Sequence, residues 1–184
     1  YPKAIWQGII SMRGAITILI LAWIISTVVS EMHTGEYLST LVAGNIHAGF
    51  LPVILFMLAG VMAFATGTSW GTFGIMLPIA AAMAVKVEPS LIIPCMSAVM
   101  AGAVFGDHCS PISDTTILSS TGAHCNHIDH VTSQFPYALT VAASAATGYL
   151  ALGMTGSAPL GFVVTGIVMV VLIFILKDKK KATA

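Results

Sequence analysis

An apolar run over residues 50–86 is interrupted near its middle by the small, polar sequence "TGTSWGT". As one helix this run would be about 55 Å long, because each residue adds about 1.5 Å. The hydrocarbon core of a bilayer is only about 30 Å thick. The run is therefore predicted to be either a hairpin of two half-helices or one tilted helix with an unwound waist.

A second apolar run, 89–123, is broken in the same way by "FGDHCSPISDTT", and continuous apolar segments cover 14–30, 131–153 and 157–176. Only 8% of the residues are charged, against about 25% in a soluble domain. These features predict an all-α integral membrane protein, with residues 1–184 as a single transmembrane domain in the lipid bilayer. Transmembrane helices would be combined with a re-entrant helical hairpin and a broken helix. The formal net charge of zero argues against nucleic acid as a partner.

Basic residues suggest the orientation of the chain. Lys3 and Arg13 precede the first apolar segment, and "KDKKK" follows the last, so the positive-inside rule places both ends in the cytoplasm. Both ends on one side require an even number of crossings. Because there are five apolar regions, one should enter and leave on the same side. We expect 89–123 to be this hairpin and 50–86 to be a broken crossing.

The two breaks share a composition that predicts a polar site between them. Irregular backbone at membrane depth is tolerated only where it is buried in protein or lines a polar cavity. Both breaks contain hydroxyl side chains, together with glycine or proline residues that free backbone carbonyls. These residues are Thr66, Gly67, Thr68, Ser69, Gly71, Thr72 and Gly74 in the first break, and Gly106, Ser110, Pro111, Ser113, Thr115 and Thr116 in the second.

Two aspartates in the second break, Asp107 and Asp114, are the most informative residues. A charged side chain at the centre of a membrane helix costs about 2.5–3.5 kcal/mol, so it is kept where it pairs, relays protons or binds an ion. Hard cations prefer oxygen ligands. A carboxylate in an apolar cavity can hold a proton or a cation, but not both well. This competition is what cation/proton exchange requires, although either aspartate could instead cap a half-helix.

Two short motifs allow other functions. The sequence "GTSWG" fits the nucleophile elbow of serine hydrolases, with Ser69 as the nucleophile, but the elbow needs a strand before it. Helix candidates flank Ser69 on both sides, which favours the hydroxyl-and-glycine interpretation. The run "HCNHIDH" (124–130) could bind zinc, sense pH or be a solvated loop. The hydroxyls of the breaks could also simply bond their own helices.

The segments "FATGTSWGTFGIMLPIA", "AGAVFGDHCSPISDTTILSSTGA" and "DHVTSQFPYAL" strongly resemble the C-terminal half of NhaC-type sodium/proton antiporters, members of the ion transporter superfamily. The resemblance implies two inverted repeats, each with a re-entrant hairpin and a broken helix. Only one repeat is recognised here, and the chain starts at Tyr1, so we expect it to be a fragment that lacks the N-terminal half of the same polypeptide. The resemblance implies an ion-binding and coupling site at or near Thr66, Gly67, Thr68, Ser69, Asp107, Ser110, Ser113, Asp114 and Thr115.

The expected function is secondary active transport, not enzyme catalysis: sodium or lithium would be exchanged for protons across a bacterial cytoplasmic membrane, with a role in pH homeostasis. Asp107 and Asp114 would hold the sodium ion. The transported sodium ion and proton would need no further cofactor, and a homodimer is possible. The family that the chain resembles also includes exchangers of organic substrates, such as malate–lactate carriers, so an organic acid or amino acid is the alternative cargo. An organic anion would be favoured by a basic residue near the breaks, and the nearest is Lys86, at a membrane edge.

Overall fold

The computed structural model describes residues 47–182 and isolated positions before residue 47. Within this part of the chain the secondary structure is helical, and no β-strand occurs. Short 3-10 turns at Ala48–Phe50 and Pro89–Leu91 precede two of the helices. The helices are α1 (Leu51–Thr66), α2 (Ser69–Val87), α3 (Ile92–Cys109), α4 (Asp114–Gly122), α5 (His127–Thr155) and α6 (Ala158–Ala182).

Five of the described helical segments are long and apolar enough to cross a membrane. They are Ala48–Thr66, Ser69–Val87, Pro89–Cys109, His127–Thr155 and Ala158–Lys177. By contrast, α4 has nine residues and a length of about 13 Å, which is too short to cross. The prediction of an all-α, multi-pass membrane protein is confirmed. The apolar segment 14–30 lies almost wholly outside the described residues.

The helix ends follow local sequence signals. Gly67 ends α1 in the left-handed conformation, with φ of 68°, and its N–H bonds to the carbonyl of Ala63, as is common after a helix C-terminus. Thr68 is extended, and its side chain accepts a hydrogen bond from the N–H of Gly71 at the start of α2. Asn126 caps α5 in a similar way. A left-handed residue followed by an extended one sharply redirects the chain between α1 and α2.

Helices α1 and α3 pack side by side and run parallel. The backbone of Gly102 approaches Phe56, and one turn further along Gly106 approaches Gly60, so closely that a Cβ at either α3 glycine would collide with the opposing carbonyl oxygen. Small residues allow this kind of backbone approach between membrane helices. The buried core around the pair is Leu51, Leu55, Ala59, Ala63, Met76, Ile79, Ala80, Met83, Ala84, Leu91, Cys95, Val99 and Ala103.

The first break is the point at which the chain turns back. Ser69, at the start of α2, bonds to Asp107 near the end of α3, while the end of α2 leads directly into the turn before α3. Thus α2 runs antiparallel to α3 and to α1. The expected assignment of the two broken regions is therefore wrong: residues 50–86 form a hairpin of two full-length helices, not one broken crossing.

The other broken region, 89–123, consists of the full-length helix α3 and the short helix α4. The far end of α4 stays close to the break, since His127 contacts both Ser120 in α4 and the carbonyl of Pro111. The even number of membrane crossings required that one apolar region enter and leave on the same side. It did not indicate which of the two broken regions does so. The deciding feature is the backbone conformation at Gly67, where the left-handed residue reverses the chain.

Helix α5 runs antiparallel to α3. At one end Gln134 reaches the carbonyl of His108, and at the other the Tyr149 hydroxyl donates to the carbonyl of Ser97 over 3.0 Å. Helix α6 folds back against α5, where Gly148 lies against Thr165. Most large apolar side chains of α6 are exposed, as expected for a helix that faces lipid.

Candidate functional site

Four helix ends meet where the two breaks come together. These are the C-termini of α1 and α3 and the N-termini of α2 and α4. Gly67 lies directly against the second break: a Cβ at this position would be 2.8 Å from Cγ1 of Ile112 and 2.9 Å from its carbonyl oxygen. The two breaks are therefore in direct contact, although 38 residues separate Ser69 from Asp107.

Asp107 is the central group of this junction, and only 4% of its surface is exposed. The hydroxyl of Ser69 donates to Oδ2 of Asp107 over 3.0 Å, and the hydroxyl of Ser113 donates to Oδ1 over 2.6 Å. Thr115 Oγ1 lies 2.8 Å from the Ser113 oxygen. Because Ser113 gives its single proton to Asp107, Thr115 is the donor in that contact. One carboxylate thus connects both breaks.

The charge of Asp107 has no basic partner in the part of the chain that the structure describes. Lys86 is exposed in the last turn of α2, about 25 Å along the helix from Ser69. Buried charges in proteins are usually paired or coordinate a cation. The arrangement of one buried carboxylate among hydroxyl oxygens therefore suits a small cation or a proton.

The remaining hydroxyls predicted for the site are placed differently. Ser110 is fully buried, and its oxygen accepts from the N–H of Ile112. Thr68 caps α2. Thr66 is exposed and donates to the carbonyl of Met62 in its own helix over 2.9 Å, which is the structural role that many membrane-helix hydroxyls have.

Within the described part of the chain, Asp114 shares no hydrogen-bond partner with the buried carboxylate of Asp107. It is exposed and begins α4, and its Oδ1 accepts a hydrogen bond from the N–H of Thr115 over 2.8 Å. In the described residues no hydrogen bond links Asp114 to Asp107. Asp114 is the first residue of α4, where a carboxylate is favourable because of the helix dipole, and Ser113 just before it accepts a hydrogen bond from the N–H of Thr116 over 3.5 Å.

Two residues of α5 reach the second break, and sequence reasoning had given them no part in the site. Gln134 Nε2 donates to the carbonyl of His108 over 2.9 Å, and His127 Nε2 lies 2.6 Å from the carbonyl oxygen of Pro111. Both residues fall in segments that the sequence had singled out: Gln134 in "DHVTSQFPYAL" and His127 in "HCNHIDH". Their sequence positions did not show which carbonyls they contact, because those contacts are long-range.

The family model described as "Na+/H+ antiporter family" matches residues 1–154. The chain belongs to the Na+/H+ antiporter family. The resemblance to sodium/proton antiporters that the break motifs indicated is thereby confirmed at the level of the family. No solved structure matches the chain significantly.

Two of the relatives of this antiporter family member are named for different cargoes. An uncharacterized protein of Haemophilus influenzae is 64% identical over 179 residues, which is 97% of this chain and 34% of the relative. The arginine/ornithine antiporter ArcD of Halobacterium salinarum is 34% identical over 80% of this chain and 29% of its own length. The malate-2H(+)/Na(+)-lactate antiporter of Bacillus subtilis is 30% identical over 70% of this chain and 27% of its own length. The chain thus spans about a third or less of the length of these relatives.

In this antiporter family member, neither of the two alternative motifs forms its site. Ser69 begins a helix that follows another helix, and its hydroxyl donates to a carboxylate; no histidine in the described part of the chain bonds to it. The run "HCNHIDH" does not assemble a metal site, since no group of three or more His, Cys, Asp or Glu side chains suitable for a metal ion occurs among the described residues.

Proposed function

We propose that the full-length protein is a secondary active transporter that exchanges sodium or lithium for protons, and that Asp107 is the group for which the two ions compete. The observation that carries this proposal is the buried Asp107 carboxylate, which accepts a hydroxyl from each break. A transporter, not a hydrolase, is also what family membership supports.

The competition follows from the chemistry of hydroxyl groups. Each serine hydroxyl has one proton and two lone pairs. With the site free of cations, the protons of Ser69 and Ser113 point at the Asp107 carboxylate. When a sodium ion binds, these protons turn away, and the hydroxyl and carboxylate oxygens face the cation. When Asp107 is protonated, the negative charge that attracts the sodium ion is lost.

The ligand set centres on oxygens of Ser69, Asp107 and Ser113, supported by Thr115 and the buried Ser110. Gly67 and Thr68 shape the turn that brings Ser69 to the carboxylate. A role for Thr66 and for the exposed Asp114 as direct ligands stays a prediction. We assign Asp114 to the entry of the site, where its charge would attract cations. The rest of the longer polypeptide would supply the remaining ligands.

An organic cargo is the second candidate, because two relatives are named for such cargoes. The carboxylate of Asp107 would repel an organic anion, and its hydrogen-bond partners among the described residues are the hydroxyls of Ser69 and Ser113, not basic side chains. A cationic amino acid would instead pair with the carboxylate. Both carboxylate oxygens, however, already accept serine hydroxyls at 2.6 and 3.0 Å, and the side chain of Asp107 is only 4% exposed, which favours a small ion over an amino acid.

The test uses the full-length transporter in proteoliposomes with an imposed pH gradient and a pH-sensitive dye. A sodium or lithium pulse is expected to collapse the gradient, while potassium has less effect. Asp107→Asn should abolish the response, whereas Asp129→Asn, an exposed position in the first turn of α5, should retain it. Undiminished sodium response in Asp107→Asn would rule out the assigned role.

Two further arms separate the remaining possibilities. Asp114→Asn tests the predicted second carboxylate, and loss of exchange there would make Asp114 a coupling group in its own right. If no inorganic cation collapses the gradient, malate, lactate, arginine and ornithine are supplied in turn. A response to one of these alone would replace sodium/proton exchange by the organic alternative. The proposed orientation in the bacterial cytoplasmic membrane, with the C-terminus facing the cytoplasm, is tested by the access of an added protease to the C-terminus in sealed, oriented vesicles.

A further inference from the structure

We propose that His127 and Gln134 are positioning residues, which hold the backbone of the second break so that Asp107 and Ser113 face the cation. Both side chains are on α5, and neither touches the carboxylate itself. Where it concerns cation affinity, this inference rests on the proposed function. The hydrogen bonds by which the two side chains fix the backbone do not depend on which ion is transported.

The carbonyls that these side chains contact are left free by the break. The last carbonyls of a helix lack an intrahelical partner. His108 lies in the last turn of α3, and the N–H of Ile112, which would continue the helical pattern, points instead to the hydroxyl of Ser110 over 3.4 Å. Gln134 supplies the missing donor to the His108 carbonyl over 2.9 Å.

His127 serves the neighbouring carbonyl and also reaches α4. A carbonyl oxygen can only accept, so Nε2 of His127 carries the proton donated to Pro111 over 2.6 Å. The other ring nitrogen lies 3.1 Å from the hydroxyl of Ser120 in α4. One imidazole therefore connects the start of α5, the break and the end of α4.

The two hydrogen-bond donors, His127 and Gln134, lie on one face of one helix. His127 and Gln134 are seven residues apart, which places them on the same face of α5, two turns apart. The carbonyls they hold belong to residues directly beside the site: His108 follows Asp107, and Pro111 precedes Ser113 by two residues. A shift of either carbonyl would therefore change the 2.6 Å bond between Ser113 and Asp107.

The test uses the full-length transporter with variants that remove or keep each donor. His127→Leu and Gln134→Met remove the N–H donors at similar size, and His127→Gln retains a donor near the position of Nε2. His130→Leu and Ser133→Ala are the controls on α5, since the Ser133 hydroxyl donates within its own helix. For each variant we would measure the sodium concentration for half-maximal exchange, the maximal rate and hydrogen–deuterium exchange of the backbone amides over residues 108–116.

His127→Leu and Gln134→Met are each expected to raise the half-maximal sodium concentration about fivefold, which corresponds to about 1 kcal/mol, the worth of one hydrogen bond. The maximal rate should change less than twofold, and amide exchange over 108–116 should become faster. His127→Gln should behave close to wild type in both measurements. A purely architectural role would lower the amount of folded protein without this selective rise in the sodium requirement or its rescue by glutamine.

Three results would decide against the proposal. Unchanged sodium dependence together with unchanged amide exchange in His127→Leu and Gln134→Met would overturn it. So would a His127→Gln variant as impaired as His127→Leu, because the donor would then be irrelevant. If the wild-type protein does not exchange sodium, the proposed function fails, and amide exchange alone decides: faster exchange supports the hold on the break, and unchanged exchange removes it.

Discussion

Replacing Gly106 with alanine is expected to separate α1 from α3 directly beside the buried carboxylate. The added Cβ would collide with the carbonyl oxygen of Gly60, and it would also lie 2.8 Å from the backbone nitrogen of Phe64. Both atoms belong to the backbone of α1, so no side chain can rotate away to make room. The only relief is movement of one helix relative to the other.

The expected size of this movement follows from ordinary contact distances. Carbon atoms pack favourably at about 3.5–4.0 Å from their neighbours, so the two backbones must separate by more than about 1 Å. Overpacking of this kind costs about 1–3 kcal/mol. The displacement also reaches the site, because α1 leads through the turn into Ser69, whose bond to Asp107 is 3.0 Å long. An extra 1 Å would take that contact beyond hydrogen-bonding distance.

Thermal unfolding of the purified full-length transporter in detergent is the first measurement. The free energy of unfolding should fall by about 1–3 kcal/mol in Gly106→Ala, and the half-maximal sodium concentration should rise in proteoliposomes. Gly166→Ala is the matched control, because nothing lies within 4 Å of the added Cβ on α6. Alanine is the better helix former at such an open position, so the control should be at least as stable as wild type.

The outcome that contradicts this reasoning is a Gly106→Ala protein with wild-type stability and wild-type sodium dependence. It would mean that α1 and α3 do not approach each other closely. A loss of stability with unchanged sodium dependence would keep the close packing, but it would show that the bond between Ser69 and Asp107 does not depend on it.

Two further predictions concern the first break. Ser69→Ala should raise the half-maximal sodium concentration roughly tenfold, or by about 1.4 kcal/mol, because it removes one of the oxygens proposed to face the cation. Ser119→Ala, whose hydroxyl bonds within its own helix, should leave that concentration unchanged, and equal values in both variants would exclude Ser69 as a ligand. Gly67→Ala should lower the free energy of unfolding by about 1–2 kcal/mol, because alanine is strained at φ of 68° and its Cβ would meet Ile112. Gly156→Ala is the control, because Gly156 has φ of 69° and open space around it, so this variant shows the cost of backbone strain alone. A Gly67→Ala variant no less stable than Gly156→Ala would show that the contact with Ile112 has no cost.

Much of the architecture could be predicted from the lengths of the apolar segments and their polar interruptions. A 37-residue run cannot cross as one straight helix, and the structure divides it at Gly67 and Thr68, within the predicted break. The direction of the chain after the break could not be predicted, because it depends on the backbone conformation at Gly67. Glycine permits left-handed and ordinary conformations about equally, so its presence did not distinguish a turn from an unwound waist.

The two aspartates show what could have been predicted about the site. Cys95, Val99 and Ala103 are fully buried and four residues apart, and Asp107 continues this spacing on the same face of α3. The periodicity therefore contained a signal that Asp107 points inward. Asp114 follows the break, where the helical period restarts, so no spacing rule connects it to α3. The sequence alone therefore could not show which of the two aspartates is the buried one.

The meeting of four helix ends has an electrostatic consequence. Each helix end carries about half an elementary charge, positive at an N-terminus and negative at a C-terminus. Two ends of each sign converge at the junction of the breaks, so their partial charges largely cancel. The Asp107 carboxylate then dominates the local potential among the described residues. One proton or one sodium ion neutralises a single negative charge equally well. Membrane voltage does work only on net charge that moves. If the proposed exchange of one sodium ion for one proton at Asp107 is correct, the sodium-loaded and protonated forms of this site would therefore carry the same charge and differ little in their sensitivity to voltage.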